Sequence, residues 1–506
     1  MSAFPSLHHF KPNFRKQLMN DHPDLFPTMS SLDRYMDNMN KLSQIQRTLH
    51  NFLSGGLKVA EECAAGDERC ATEHFEEAVA KAPTQRADQI PYLFEGDIVL
   101  SERQMEGLLK NAKMQLELAS SSRECRRNGS AIGCTELTDH RLMRSERLRK
   151  GRTLTSALSE RWHSFPIPYA IGPKVNRTAV HEGIANWARV TCLTFREVHS
   201  LRSDRHGLSF FFGPGCYSTV GQLRDGHPQK VSIGPRCDNP FVVSHEIAHS
   251  LGYFHEQSRF DRDEFVQIQP KNIQLGFLNQ FTRFSQSQET TFDVSYDFGS
   301  VMHYDAFAFS SKGLSSIQTV NPNYQNTIGQ RFQLSFNDVK KMNLAYCHSI
   351  CPFELPCQRS GYTDPKACDR CRCPNGLAGR FCDRVKATDS QCGELLLQAI
   401  DREQTLSHFG VGKCNFMIKA SVGTRVNISV DFIHFVDNET KCQKESYVEI
   451  RYRNDLGSVG VRFCNSSQKN TFVSASDEVI VLYRSAFKQN KFSLCYQREK
   501  HKKRAN

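Results

Sequence analysis

No stretch of the 506-residue chain approaches 18 consecutive apolar residues, which excludes an apolar helix long enough to span a bilayer. The first twenty residues, Met1 to Asn20, lack the unbroken apolar core of a secretory leader. Nor does the composition lean towards disorder. Charged residues make up 24% and hydrophobic ones 39%, so most of the chain is expected to be globular, in three or four domains. Cysteine, by contrast, is abundant. Nineteen cysteines clustered by segment imply disulfide frameworks and an oxidising compartment. Five N-x-S/T sequons, at Asn128, Asn176, Asn427, Asn438 and Asn465, fit the same compartment. The expectation is therefore a secreted, glycosylated chain whose leader lies in an upstream exon, rather than an unusual export route. Net charge is +11, partly from Arg498 to Arg504, read as a solvated tail ahead of a polyanion or membrane-surface partner.

The most informative stretch is Ser244 to Phe265, S-H-E-I-A-H-S-L-G-Y-F-H-E-Q-S-R-F-D-R-D-E-F. His245 and His249 are four apart, so on a helix both imidazoles reach one metal ion. Glu246 between them is placed to work on a metal-bound water rather than to ligate. Gly252 takes a left-handed conformation cheaply, letting the helix stop and the chain turn back. His255 then supplies a third ligand from outside the helix. Three imidazoles and one open position describe a catalytic zinc site, since a structural site is closed by a fourth protein ligand. The bland alternative is an amphipathic core helix with satisfied histidines. Downstream, Tyr296 to Tyr304 reads Y-D-F-G-S-V-M-H-Y; a Met in such a turn, here Met302, counts only because the zinc motif precedes it.

Together these residues, with Glu256, Arg259, Asp261, Arg262 and Asp263, resemble the astacin family of zinc endopeptidases over about residues 153 to 349. The resemblance implies an α+β metzincin-type peptidase domain. In it Met302 underlies the metal, and Tyr304 is an additional zinc ligand that swings away to stabilise the transition state. Glu256 is implied to receive the new N-terminal ammonium of the mature enzyme. It also implies an α-rich prosegment, residues 1–152, whose Phe94-Glu95-Gly96-Asp97 places Asp97 on the zinc. Cleavage after Arg152, within a basic cluster, would make Thr153 the first mature residue. Val231, Ser232 and Ile233 would form an edge strand pairing with extended substrate; the plain alternative is a structural edge strand. Arg331, in Ile328 to Arg331, would favour an acidic residue just after the cut. Bridges Cys192–Cys347 and Cys216–Cys237 follow from the family pattern.

Helical periodicity predicts helices from Met39 to Leu53, from Ser101 with a Gln104 capping box, and from His181 to Thr191. Cys351, Cys357, Cys368, Cys371, Cys373 and Cys382 resemble an EGF-like module, residues 350–384, with pairs Cys351–Cys368, Cys357–Cys371 and Cys373–Cys382; a zinc-binding cysteine cluster is the alternative. Residues 392–497 alternate as strands, with Val426, Ile428, Val430 and Phe432 on one face. They resemble a CUB β-sandwich with pairs Cys392–Cys414 and Cys442–Cys464, followed by a basic tail, 498–506. Ser446 and the Arg453-Asn454-Asp455 turn weigh against calcium there. Cys495 is left over, and Cys63 with Cys70, and Cys125 with Cys134, could close two local loops. The implied function is a secreted zinc metalloendopeptidase made as a zymogen. Zinc is its cofactor, its partners are an activating protease and extracellular matrix, cuticle or egg-coat proteins, and no nucleic acid is involved. The competing reading is an adhesion protein with a dead peptidase fold, against which intact Glu246 and all three histidines argue.

Overall fold

The computed structural model describes most of residues 16–53, residues 89–127 apart from 91 and 92, residues 152–155 and most of residues 160–499. The expectations for Cys63, Cys70, Cys134, Asn128, Asn438, Asn465 and the basic cluster at 147–151 lie outside the described residues, as do the side chains of Cys125, Arg152 and Thr153. Two compact units are present. The first comprises residues up to Arg189, Leu193–Asp293 and Ala306–Gln318; the second comprises Val190–Cys192, Val294–Asp305 and residues from Thr319 onward.

In the first unit, helix α1 (Met29–Leu53) packs on α2 (Glu102–Arg127) around Leu32, Met36, Met39, Met105, Leu108 and Ala112. α1 begins ten residues before the expected start. Leu32 and Met36 continue the apolar face, and Thr28 caps it by accepting from Ser31 N at 3.2 Å. α2 has a reciprocal cap: Gln104 N donates to Ser101 Oγ (3.3 Å) and Ser101 N to Gln104 Oε1 (3.0 Å). Between these helices lies strand β1 (Ile98–Val99). Strand β2 (Arg152–Thr155) pairs antiparallel with Glu289–Thr290. Strands β3 (Ile167–Ile171), β4 (Phe195–Glu197), β5 (Leu208–Phe211), β6 (Cys216–Thr219) and β7 (Gln229–Ile233) join β1 in a six-stranded sheet of order β1-β6-β7-β5-β3-β4. Val231, Ser232 and Ile233 are thus not at an edge, correcting the expectation: β7 is flanked by β5, in parallel register, and by β6, antiparallel. At one end of the sheet β1 pairs with β6 in parallel, Ile98 opposite Ser218.

Helix α3 (Arg177–Ala188) lies against α4 (Pro240–Ser250). α3 starts four residues before the expected His181 because Asn176 caps it, accepting from Ala179 N at 3.2 Å. Gly183 permits the close approach: a Cβ there would meet Val243 Cγ1 at 2.6 Å. Trp187 Nε1 donates to Ser244 O at 2.8 Å. Cys216 and Cys237 are bonded.

The second unit holds the Tyr296–Tyr304 turn, helix α5 (Phe336–Tyr346), the six-cysteine segment and a β-sandwich. Cys192 and Cys347 close a loop of 155 residues, which removes about 5 kcal/mol of unfolded-chain entropy. In the six-cysteine segment the bonds are Cys351–Cys368, Cys357–Cys371 and Cys373–Cys382. The sandwich has a five-stranded sheet and a four-stranded sheet, with Cys392–Cys414 and Cys442–Cys464 bonded. Val426, Ile428 and Val430 point inward, but Phe432 is 45% exposed. A β-bulge between Val430 and Phe432 shifts the register, so Ile433 takes the inward position instead. The last strand runs Lys491–Arg498, so the first residue of the expected tail still belongs to the sheet. Cys495 is a free thiol donating to Asp431 Oδ2 at 3.0 Å.

Candidate metal centre

Asn239 caps α4 by accepting from Phe241 N at 2.7 Å, and Pro240 opens the helix. His245 and His249 then fall one turn apart on a buried face. The helix ends as the spacing implies: Gly252 has φ of 101°, and its N–H reaches back to His249 O at 2.7 Å. That turn delivers His255, fully buried, beside the helical pair. His249 Nδ1 donates to Tyr253 O at 2.8 Å, and the nitrogen left facing the centre, Nε2, is a lone pair.

Asp97 enters from the N-terminal segment. Its Oδ2 lies 3.1 Å from His245 Nε2 and 3.2 Å from His255 Nε2, and its Oδ1 3.6 Å from His249 Nε2. His245 Nε2 and His249 Nε2 are 3.1 Å apart. These separations match the edges of a tetrahedron about an ion bound at about 2.0–2.1 Å, where neighbouring ligands lie roughly 3.3 Å apart. The donor chemistry agrees, because neutral imidazole nitrogens and carboxylate oxygens facing one another need a cation between them. Burial opposes charge on Asp97, but its surroundings, His255 first and then His249, prevail and hold its carboxyl well below the ordinary value, so it faces the histidines as a carboxylate. The residues present therefore fit zinc.

Glu246 is buried on the same helix between the two histidines. Glu256 is buried too, beside Arg259. Arg259 Nη1 donates to Glu256 Oε1 at 3.0 Å, with its other nitrogens on Asp261.

Met302 and Tyr304 belong to the second unit, where both are buried. Their turn is fixed by Asp338 at the start of α5. Asp338 accepts from Ser300 Oγ at 2.5 Å and Val301 N at 2.9 Å while forming the capping box with Ser335. Tyr296 Oη bonds His303 Nε2 at 2.7 Å. Half-buried Arg331 donates through Nη1 to the carbonyls of His303 and Gln330, each at 3.0 Å. Sequence reasoning missed Glu95, whose Oε2 is 2.7 Å from His255 Nδ1, and Ser258, whose hydroxyl bonds Glu95. The one available signal was an acidic residue two places before Asp97.

A histidine pair on one helical turn, a third histidine past a glycine stop and a carboxylate opposite define a zinc-hydrolase type of centre. Residues 154–347 match the family model for Astacin, a family of peptidases. The chain is 39% identical over 467 residues to zinc metalloproteinase nas-34 of Caenorhabditis elegans, covering 92% of this chain and 71% of that one. It is 37% identical over 349 residues to zinc metalloproteinase dpy-31 of the same organism, covering 65% of this chain and 58% of that one. Among solved structures, high choriolytic enzyme 1, a hatching enzyme zinc-protease from Oryzias latipes (Medaka fish), aligns at 29% identity. That alignment covers 39% of this chain and 100% of that one, with a TM-score of 0.35. The chain belongs to the astacin family of zinc metalloproteinases. Among the described residues no helix is long and apolar enough to cross a membrane.

Proposed function

We propose that the chain is a secreted zinc endopeptidase held latent by its own N-terminal segment. The observation that carries this reading is Asp97 placed among His245, His249 and His255, at the position water needs for catalysis. On this reading residues 1–152 are the prosegment, 153–349 the peptidase domain, 350–384 an EGF-like module and 392–497 a CUB domain with the 498–506 tail. Cleavage after Arg152 begins activation.

Zinc held by the three histidines would acidify a bound water and polarise the scissile carbonyl. Glu246 accepts the proton of the attacking water and delivers it to the leaving amine. The Tyr304 hydroxyl donates to the developing oxyanion. Once β1 leaves, β6 offers its free edge to an extended substrate, in the role first expected of Val231 to Ile233. The Arg331 guanidinium, oriented by the two carbonyls it bonds, favours an acidic side chain after the cut. Substrates are then extracellular proteins.

Two variants test this. Glu246→Ala is expected to keep zinc and lose at least about a hundredfold in proteolysis, the scale of lost general-base catalysis; a zinc-loaded variant cutting at the parent rate would refute the mechanism. In a chain made uncleavable by Arg152→Gln, Asp97→Ala should raise peptide hydrolysis above the parent's background. Equal activity of the two uncleaved forms would reject latency by Asp97.

A further inference from the structure

We propose that Glu95 is a positioning residue for the metal centre: it is the carboxylate partner of ligand His255, so the segment that blocks the centre also tightens it. The inference rests on the zinc reading above. One turn, Phe94 to Ile98, grips the His255 ring at both nitrogens. Asp97 Oδ2 lies 3.2 Å from Nε2, on the metal side, and Glu95 Oε2 lies 2.7 Å from Nδ1, behind the ring. Glu95 is completely buried, and its other oxygen accepts from the Ser258 hydroxyl. The arrangement is over-determined by the backbone. Phe94 and Ile98 exchange hydrogen bonds of 3.0 Å in both directions, and Gly96 O accepts from Ile90 N at 2.7 Å. Glu95 itself has φ of 49°, in the left-handed region where a residue with a side chain is strained. Strain of that kind persists where surrounding contacts fix it. Here it turns two side chains only two positions apart onto opposite sides of one imidazole.

A ligating histidine holds its metal best when the other ring nitrogen donates to a fixed acceptor, which sets the tautomer and raises ligand basicity. His249 has such an acceptor in Tyr253 O, within the peptidase domain itself. For His255 the acceptor is Glu95, which arrives with the N-terminal segment and departs with it. The uncleaved chain therefore holds zinc more tightly than the mature form by more than the Asp97 ligand alone contributes.

The test uses the full-length chain carrying Arg152→Gln, with Asp97 intact, and measures the zinc dissociation constant by competition with a chromogenic chelator. Glu95→Ala is expected to weaken zinc about 10–100-fold, the range for removing such a partner. Glu95→Gln, whose amide oxygen still accepts from Nδ1–H without the charge, should fall between. The downfield His255 Nδ1–H proton resonance of the zinc form should shift in Glu95→Gln and vanish into exchange in Glu95→Ala. Zinc affinity within twofold of the parent for Glu95→Ala overturns the proposal. If Glu95→Ala does not fold, Ser258→Ala loosens the same carboxylate from the peptidase side. It should weaken zinc more in the uncleaved chain than in the mature form, and an equal change in both forms also overturns the proposal. His245→Ala is the control: retained zinc there would sink the metal-site reading itself, whereas lost zinc there with unchanged affinity in Glu95→Ala sinks only this inference.

Discussion

Replacing Glu449 with Gln in the β-sandwich changes one oxygen to an amide and removes the carboxylate charge that two buried guanidiniums share. Glu449 is 1% exposed. Its Oε1 accepts from Arg451 Nε at 2.6 Å and from Gly460 N at 3.1 Å, and its Oε2 from Arg462 Nε at 2.9 Å. Arg462 also stacks on Tyr447, 4.3 Å from the ring centre. Burial pushes the Glu449 carboxyl up, but the two arginines more than reverse this and hold it at about 2 against an ordinary 4.5. At about 1.4 kcal/mol per unit, that difference amounts to about 3 kcal/mol of stability at neutral pH. Because the folded value is depressed, this stability is complete above about pH 4.5 and is lost as pH falls towards about 2. Breaking a buried pair from one side costs about 3–5 kcal/mol. For a domain near 100 residues each kcal/mol moves Tm by about 4–8 °C, so Glu449→Gln should lower the sandwich transition by about 12 °C or more in calorimetry at pH 7. The triple variant Glu449→Leu, Arg451→Met, Arg462→Met should be less damaged than the single one, since it removes the uncompensated charges. A single-variant shift below about 4 °C, or one that persists unchanged at pH 3, would refute the reasoning.

Two further outcomes follow from geometry. Gly299→Ala places a Cβ 2.6 Å from Val459 atoms, so it should destabilise the second unit by about 1–3 kcal/mol in urea unfolding, and Val459→Ala in the same chain should restore part of the loss. Cleavage after Arg152 and onset of activity should be separable in time: on a gel the cut chain appears first, and hydrolysis rises only as the N-terminal fragment dissociates or is degraded. Simultaneous onset would contradict a segment held by its own contacts.

The histidine triad was legible because its spacing is a local property of one helix and its glycine stop. Everything at Asp97 beyond its identity depends on a contact 148 positions away in sequence, between that carboxylate and His245. Periodicity carries no such information, so Asp97 was reached only through a resemblance and Glu95 not at all. The strand expected to pair with substrate shows the same limit. The cysteines at 216 and 237 enclose two strands, and spacing cannot say which one borders the sheet, because order is set by the partners β5 and β1 from elsewhere in the chain. The Glu256–Arg259 pair, three positions apart, was not read from the sequence, because spacing in a short 3-10 turn does not say which charges meet. Phe432 was placed inside because period-two alternation assumes an unbroken strand, and one extra residue at the bulge reverses every position beyond it.

If the N-terminal segment is the proposed inhibitor, the short run from Leu93 to Leu100 is what would keep it seated after a single cut. Leu93, Phe94, Ile98, Val99 and Leu100 are at most 1% exposed, and they share a core with α1, α2, Tyr217, Val220, Phe254 and Phe284. The same run supplies a strand to β6, a carboxylate among the three histidines and another behind His255. Each contact excludes water from the next, and polar groups in a dry site interact more strongly than in solvent. Severing the chain at Arg152 breaks none of these contacts. In the proposed mechanism the cut would remove only the covalent link to the segment, so its effect would be on effective concentration after dissociation rather than on the bound state. On the proposed reading, latency would reside in noncovalent packing around residues 93 to 100, and proteolysis would act by making its loss irreversible.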